Sequence, residues 1–534
     1  MSPVRHGKRL YKQMALEVAV RNPERYDEIL RTYNKFKGTI LDPNGIIEIF
    51  AQLYIDGAVS SADLDISSAS RDEVKQFIKE NVSHNNEWGF PTGWQAAFTR
   101  YLKTLSEFGF IYAQYNEPLR LSEVAEAVIS NKITLSEAFA IQSMRFWRKS
   151  PYRRVLNDFN YFKFIIDAIK ERNESGHRLS YPQFMISLFS DDGNIESFIN
   201  FINENKVGHS LDDAYALMVE NYDRIDSEHG KIAKQRSAFN DYGNTVFRVL
   251  QLTGFITVEY QSVIMLSVNT NRWKFYQEVS AMNFALPETA KEDRNEYFNI
   301  LGALPHDILK CIYSNRDAQK RSVDSYNDKL SDIINRYELN ENYLATYIKD
   351  VSKGAKDRKV FWFMQEPLKF EFLLSLYLYT CLGEEYEYKP NYICDDAGIP
   401  YSHAPGNIGD IEVFNKDFYW LIEATLIKGK NQQINNETIN LFRHIDNERP
   451  CTKYLSLIAP FIHEDTDLLI KVATVVSMLE QQSLIFSKPY NTEEYITQMS
   501  TRNCINDMQN NTMEFVGKLG KMLTRMSETF KLIQ

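Results

Sequence analysis

The stretch GDIEVFNKDFYWLIEAT, residues 409–425, alternates large apolar side chains with carboxylates, a pattern that favours a β-hairpin. If the turn is built on Lys416-Asp417 with an even loop, Asp410 lies directly across from Glu423. Glu412 then lies on that same face. The opposite face is apolar and is expected to pack against a helix. It carries Ile411, Val413, Phe418, Trp420, Ile422 and Ala424.

Two opposed carboxylates repel each other unless a proton or a cation lies between them. A hard divalent cation such as Mg²⁺ resolves this conflict, because it takes oxygen ligands from one or two carboxylates and keeps waters. Asp410 and Glu423 therefore form a candidate metal site. Two alternatives stay open. Either the acids face solvent on a one-sided sheet, or a loop of odd length turns them to opposite faces.

The sequence around the hairpin indicates a layered α/β domain. An apolar helix over 367–383 precedes it, and a helix over 435–445 and a strand over 453–460 follow it. The hairpin has an acid on its first strand and a Glu-x-(polar) motif at the end of its second strand. This pattern is the outline of the PD-(D/E)xK nuclease core. Thr425 stands where that core usually has a lysine.

Two upstream stretches, 94–129 and 244–279, share one order of elements: helix, Gly-Phe, strand, polar turn, strand, helix. This order is typical of a winged helix, the helix-turn-helix variant with a β wing. The alternative is two unrelated helix–hairpin corners, which are common in α+β proteins. Two winged-helix-like modules would give a mostly helical DNA-recognition half.

The most basic stretch, SMRFWRKSPYRRVLNDFNYFK at 143–163, lies between these two modules, and a second basic cluster at 229–244 leads into the later one. Guanidinium groups suit bidentate phosphate contacts, and aromatic neighbours can pack on sugars or bases. The alternative is a solvated helix face. The candidate DNA-binding residues are Arg145, Arg148, Lys149, Arg153, Arg154, Lys231, Lys234 and Arg236.

We predict an α+β multidomain protein from the 534 residues, of which 44% are hydrophobic and 25% charged. Its parts are two recognition subdomains, 1–142 and 143–285, a helical linker, 286–360, and an α/β nuclease domain, 361–534. The net charge of −10 argues only weakly against nucleic acid, because local patches decide binding.

The five cysteines form no C-x-x-C pair, which argues against a zinc site or a disulfide framework. The polar start of the sequence and the short apolar runs predict a cytoplasmic protein with no membrane partner.

Several motifs in the C-terminal part resemble the AlwI family of type IIS restriction endonucleases, which includes related site-specific nicking endonucleases. The resemblance is strong over 370–462 and continues more weakly through the two helix–hairpin units, which match the family's recognition half in order and placement. The motifs are KFEFLLSLYL, YSHAPGNIGDIEV, FYWLIEATLIKGKNQQINNETINLFRHI and YLSLIAP.

The resemblance implies which residues carry the chemistry. Asp410 and Glu423 match a metal-binding pair, which with the Ala424 carbonyl would hold Mg²⁺ as the cofactor. Glu437 matches a third catalytic acid, and Glu371 matches an acid on the preceding helix.

Other residues near these acids have supporting roles in this interpretation. Lys428 or Lys430 is a candidate for stabilising charge on the phosphorus, a choice that the sequence leaves open. His403 is expected to order the loop ahead of Asp410, and His444 to be structural.

The implied function is a type IIS restriction endonuclease that binds a short asymmetric site in double-stranded DNA. It would cut a few base pairs outside that site and leave 5′-phosphates. The alternatives are a strand-specific nicking endonuclease, the large subunit of a heterodimeric restriction enzyme or, from another class, a non-catalytic winged-helix DNA-binding protein.

One active site cuts one strand. Cutting both strands therefore implies a transient homodimer on DNA or a small second catalytic subunit. A cognate DNA methyltransferase belongs to such a system, with no direct contact implied.

Overall fold

The computed structural model describes residues 12–61, 63, 64, 66, 69–80, 88–153, 155–208, 210–221, 231–282, 284–321, 326–355, 359–404, 408–430, 433–444, 451–481, 485–500 and 504–533. The chain forms two compact units. The first unit is Met1–Ser322 together with Asp395–Tyr401, and the second is Val323–Cys394 together with Ser402–Gln534. Helices predominate and the second unit contains a mixed sheet, which confirms the α+β class.

The N-terminal part of the first unit is helical and ends in a small hairpin. Its elements are α1 (Tyr26–Lys35), α2 (Pro43–Ile55), α3 (Arg71–Glu80), α4 (Trp94–Glu107), β1 (Ile111–Tyr112), β2 (Arg120–Leu121) and α5 (Glu123–Ile129). β1 and β2 pair antiparallel, and Ile40, between α1 and α2, bridges to Pro118 just before β2. Gly109 follows α4 with a φ of 73° and so turns the chain into the hairpin, as the Gly-Phe pattern predicts.

The following part of the first unit ends with the same order of helix, strand, strand and helix, in longer elements. Its elements are α6 (Leu135–Arg145), α7 (Tyr161–Glu174), β3 (Leu179–Ser180), α8 (Tyr181–Ser187), α9 (Ile195–Glu204), α10 (Leu211–Asn221), α11 (Lys231–Leu252), β4 (Ile256–Tyr260), β5 (Ile264–Val268) and α12 (Trp273–Ala281). The antiparallel sheet has the order β3-β5-β4. The predicted order of helix, strand, strand and helix over 94–129 and 244–279 is therefore confirmed.

The predicted linker, 286–360, is helical throughout its described elements, but these helices pack into the two units. They are α13 (Arg294–Gly302), α14 (His306–Arg321), α15 (Tyr326–Arg336) and α16 (Glu341–Lys353). The Tyr297 hydroxyl on α13 donates to the Glu107 carbonyl at 2.7 Å, which fixes α13 to α4. The division between the units falls at Ser322–Val323, inside the predicted linker.

The second unit is built on a six-stranded mixed sheet between helices. Its further elements are α17 (Glu366–Leu382), β6 (Glu387–Pro390), β7 (Ile393–Cys394), β8 (Pro400–Ser402), β9 (Ile411–Phe414), β10 (Phe418–Ala424), α18 (Ile439–Arg443), β11 (Thr452–Ala459), α19 (Glu464–Gln481), β12 (Ile485–Ser487), β13 (Tyr490–Asn491), α20 (Thr492–Ser500) and α21 (Cys504–Ile533). The strand order is β12-β11-β10-β9-β6, and β13 also pairs with β11. β10 runs antiparallel to β9 and parallel to β11.

The short segment Asp395–Tyr401 belongs to the first unit, although the chain on either side of it belongs to the second. Asp396 accepts hydrogen bonds from the Thr270 amide at 2.9 Å and the Thr270 hydroxyl at 2.6 Å. The Tyr401 hydroxyl accepts one from the buried Arg272 guanidinium at 2.9 Å. A Cβ on Gly254, which has a φ of 67°, would lie 2.5 Å from the Tyr401 ring, so this approach requires glycine.

Candidate active site

The register of the central hairpin places the two candidate metal-binding acids opposite each other. Ile411 pairs with Ile422, and continuing that register by one position sets Asp410 against Glu423. The Ala424 amide donates to Asp410 Oδ2 at 2.8 Å, which holds this carboxylate at the end of the strand pair. The even turn is confirmed, and the alternative register with the acids on opposite faces is wrong.

Both faces of β10 are buried, so the one-sided sheet with solvent-facing acids is also wrong. Glu423 is only 4% exposed. Its face continues through Tyr419 and Leu421 into an apolar cluster beneath α18 and α19. That cluster contains Tyr419, Leu421, Leu441, Leu455, Leu457, Ile470 and Ile485. A carboxylate at such a position is costly unless specific partners compensate for its lost hydration.

Histidines supply such partners to two of the predicted catalytic acids. Nδ1 of His444 lies 2.6 Å from Oε1 of Glu423, and both side chains are buried. Nδ1 of His403 lies 2.6 Å from Oε1 of Glu371 on α17. The sequence predicts that His403 orders a loop and that His444 is structural, and it does not predict either pairing.

The remaining hairpin acid, Glu412, is engaged by the protein itself. Its carboxylate accepts hydrogen bonds from the Lys389 ammonium at 3.0 Å, the Asn391 amide group at 2.9 Å and the Tyr419 hydroxyl at 3.2 Å. These contacts balance its charge and use both oxygens. Glu412 is therefore a structural acid.

The donor set at the end of the hairpin suits a hard divalent cation. Carboxylate oxygens from Asp410 and Glu423 and the Ala424 carbonyl are ligands of the type that Mg²⁺ takes. Oε2 of Glu371 is buried without a hydrogen-bond partner among the described residues, a costly state that a bound cation or water would relieve. Within the described part of the chain, no three His, Cys, Asp or Glu side chains already converge as a metal cluster.

The segment after β10 carries the remaining predicted site residues. The backbone of Glu437 lies in a π-helical turn, Gln433–Thr438, at the start of α18, and its side chain lies outside the described residues. Lys430 forms an ion pair with Asp465, whereas the exposed Lys428 has its carbonyl bonded to His463 Nε2 at 2.9 Å.

Comparison with known families adds an independent observation to this geometry. Residues 106–292 and 288–497 match the model of the AlwI restriction endonuclease, so the matches span more than half of the 534 residues. The chain belongs to the AlwI restriction endonuclease family. It is therefore a site-specific deoxyribonuclease, a restriction enzyme whose substrate is DNA.

Two solved structures show distant similarity to this AlwI-family chain. The small subunit of the heterodimeric restriction endonuclease R.BspD6I is 19% identical, with coverage of 32% of this chain and 87% of that one and a TM-score of 0.26. Restriction endonuclease FokI is 11% identical, with coverage of 94% and 98% and a TM-score of 0.23. A comparison with curated proteins finds no match.

The basic stretch of the AlwI-family chain lies partly in the interior of the first unit. Arg148 is 2% exposed and donates to the carbonyls of Ser190, at 2.7 Å, and Lys12. Arg145 donates to the Leu301 carbonyl at 2.8 Å, and burial lowers its pKa to about 10. Both guanidinium groups are buried against carbonyl oxygens, which a phosphate would have to displace, so the phosphate contacts of Arg145 and Arg148 stay predictions.

Two other residues of this stretch are partnered by carboxylates. Lys149 lies 2.8 Å from Glu288, and hydrogen bonds from Lys149 and Lys291 lower the pKa of Glu288 to about 2. Arg153 forms an ion pair with Glu107 at 2.6 Å. Neither offers an uncommitted charge, and a phosphate would have to displace an existing partner. Arg154 lies outside the described residues.

The second basic cluster forms the start of α11. Arg236 is exposed and forms an ion pair with Asp212 on α10. The side chains of Lys231 and Lys234 lie outside the described residues, so their predicted phosphate contacts stay predictions.

None of the helices in the described ranges is both long enough and apolar enough to cross a lipid bilayer.

Proposed function

We propose that this chain is a type IIS restriction endonuclease, which binds a short asymmetric DNA sequence and cuts a few base pairs outside it. The observation that carries the proposal is the opposition of Asp410 and Glu423 at the end of a buried strand pair, in a chain of this restriction endonuclease family.

Asp410, Glu423 and the Ala424 carbonyl would hold Mg²⁺, with Glu371 and Glu437 as further acids. The cation, when bound, supplies positive charge to the scissile phosphate and lowers the pKa of a coordinated water. Water oxygen bonds to phosphorus in line with the departing 3′-oxygen, which takes up a proton as the P–O bond breaks. The products are a 5′-phosphate and a 3′-hydroxyl.

The chain's own residues would position this step. Lys428 is the better candidate of the two lysines for stabilising charge on the phosphorus, because Lys430 is already paired with Asp465. Glu437, at the turn before α18, would orient the attacking water where the usual nuclease core has its lysine.

Sequence recognition would come from the two helix–hairpin modules of the first unit. In each, a short extended segment after a first helix pairs beside the final hairpin, through Ile40 in one and β3 in the other. This topology supports a winged-helix interpretation in which α4 and α11 enter the major groove. Arg236, near the start of α11, is exposed and would exchange its Asp212 partner for a phosphate in that arrangement. The division of this half at 142–143 stays a prediction.

Cleavage of a supercoiled plasmid tests the proposal and separates the alternatives. With Mg²⁺ we expect linear product, with ends at a constant offset from one asymmetric sequence by run-off sequencing, and no cleavage with EDTA. Open circles that never become linear would indicate a nicking endonuclease or the large subunit of a heterodimeric enzyme. Unchanged supercoils with retained DNA binding would favour the non-catalytic binder and overturn the proposal.

Double-strand cleavage would require a second catalytic centre, and α19 has a surface on which the chain that carries it could dock. Leu468, Val472 and Val476 follow one another at four-residue spacing and are 46–55% exposed, while Ile470 faces the core. An exposed apolar face of this kind usually marks an interaction site. A second copy of this chain, paired transiently on DNA, is the partner that we favour over a separate small subunit.

A cognate methyltransferase would protect the host's own sites.

Charge placed on this face is expected to uncouple the two cuts. In the double variant Leu468→Glu/Val472→Glu, pairing of two copies should weaken while each active site stays intact. Open circles should therefore accumulate, and linear product should form at least about tenfold more slowly. A tenfold change corresponds to about 1.4 kcal/mol of lost pairing energy. Time courses on supercoiled plasmid measure both products. Tyr313→Glu, an exposed apolar site in the first unit, is the control. An unchanged ratio of linear to open-circular product would argue against this surface.

A further inference from the structure

Two histidines of the second unit each pair with a glutamate. The His444–Glu423 pair is buried, whereas the His403 side chain is 32% exposed beside a buried Glu371. Each joins a histidine Nδ1 to a glutamate Oε1 at 2.6 Å, slightly shorter than the about 2.7–2.9 Å of a charge-assisted N–H···O hydrogen bond. The glutamates are Glu423 and Glu371, two of the acids to which the proposed function gives a catalytic role. Glu412, the structural acid of the same hairpin, has lysine, asparagine and tyrosine partners instead.

The surroundings of Glu423 leave its carboxylate little freedom to rotate. His444 holds Oε1, and a Cβ placed on Gly409 would lie 3.2 Å from that same oxygen. The Gly409 backbone and the His444 imidazole therefore both lie close to Oε1 of Glu423. With Oε1 fixed in this way, the direction of Oε2 is also fixed, because the carboxylate is planar.

The pair on α17 leaves one oxygen of its carboxylate without a partner. His403 holds Oε1 of Glu371, while Oε2 is buried and accepts no hydrogen bond from the described residues. His403 also follows directly on β8, so its backbone starts from a paired strand. The histidine therefore fixes the orientation of a carboxylate whose second oxygen is available to a ligand.

We propose that His444 and His403 are positioning residues, which donate from Nδ1 to one oxygen of Glu423 and Glu371 and so aim the other oxygen at the divalent cation. This inference rests on the proposed nuclease function. A hydrogen-bonded carboxylate is pre-oriented and loses less conformational entropy when it binds the cation. Partners of this kind typically change metal affinity by about 10–100-fold when removed.

Substitutions of His444 test the inference through the metal dependence. Asparagine can place its amide NH₂ where Nδ1 stands, whereas glutamine places it further out. We expect His444→Ala and His444→Gln to raise the half-saturating Mg²⁺ concentration for plasmid cleavage by about 10–100-fold, and His444→Asn to restore it. The increase in melting temperature on adding Mg²⁺ gives a readout independent of turnover. It should shrink in the alanine and glutamine variants only.

The same series at His403 tests the second pair, and His177→Ala, at an exposed histidine of the first unit, is the control. DNA affinity measured with EDTA should stay within twofold in every variant. If the wild type cleaves DNA and His444→Ala shows the same Mg²⁺ dependence, the positioning role is overturned. Equal behaviour of the asparagine and glutamine variants also overturns it, even if alanine prevents folding. Failure of the wild type itself to cleave DNA with Mg²⁺ would instead reject the proposed function.

Discussion

Asp410→Ala is expected to abolish DNA cleavage while leaving DNA binding intact. The Asp410 carboxylate is fixed by the Ala424 amide at 2.8 Å, so the substitution removes a pre-placed charge from the pair with Glu423. Glu423 alone would hold a divalent cation poorly. Loss of one group that stabilises charge at a reacting centre lowers turnover by at least about 100-fold. Plasmid cleavage with Mg²⁺ measures the loss, and a gel-shift assay with EDTA measures binding.

Asp417→Ala is a matched control for this variant, because Asp417 is an exposed acid at the tip of the same hairpin. It removes the same charge from the turn of the same hairpin, at the end away from Asp410 and Glu423, so cleavage should be unchanged. If Asp410→Ala cleaved as well as the wild type did, the assignment of the metal site to the end of this hairpin would be wrong.

The hairpin could be predicted in detail because its geometry depends on neighbours in sequence. Side chains alternate between faces along a strand, and a short turn fixes which residues oppose each other. These rules are sufficient to place Asp410 opposite Glu423. They do not say what covers each face. The second covering layer comes from α18 and α19, which follow the hairpin in the chain, so the alternative of a solvent-facing sheet could not be dismissed beforehand.

The histidine pairs could not be predicted from sequence, because each joins residues that are distant along the chain. His444 lies 21 residues after Glu423, beyond a crossover helix, and His403 lies 32 residues after Glu371, beyond a segment that belongs to the first unit. No spacing rule connects such positions. The available signal was the presence of a histidine in each of the motifs SHAPGN and NLFRH, which carry the family resemblance but state no partner.

The basic stretch shows a different limit of sequence reasoning. Phosphate oxygens and backbone carbonyl oxygens are both hydrogen-bond acceptors that suit a guanidinium group. Local composition therefore reveals a cluster of donors without revealing which acceptors they meet. Arg145 and Arg148 donate hydrogen bonds to backbone carbonyls of segments that are distant along the chain. The aromatic residues between them pack inside the first unit. Their guanidinium groups are buried in the first unit and are not displayed on its surface.

Because Arg148 is buried, we expect its substitution to have a large effect on the stability of the fold. Arg148→Ala should lower the free energy of unfolding by about 1–3 kcal/mol, because the Lys12 carbonyl loses the Arg148 donor and a buried unsatisfied group costs about that much. The Ser190 carbonyl also loses Arg148 but keeps the Asn157 side-chain amide as a donor at 3.0 Å. Urea denaturation followed by tryptophan fluorescence measures the change. The folded fraction of this variant should bind DNA with the same slope of log affinity against log salt concentration as the wild type, because no phosphate contact is removed.

Lys163→Ala is the matched control from the same basic stretch. Lys163 is half-exposed and pairs with Asp167 one helical turn away at 3.1 Å, an exposed contact worth about 0.5 kcal/mol or less. The two variants remove equal charge, so any electrostatic effect on DNA binding should be common to both, whereas only Arg148→Ala should destabilise the fold. The contrary result for Arg148→Ala would be unchanged stability together with a decrease of about one in the slope of log affinity against log salt concentration. It would mean that this arginine contacts a phosphate, and that its buried position is not the one it takes when DNA is bound.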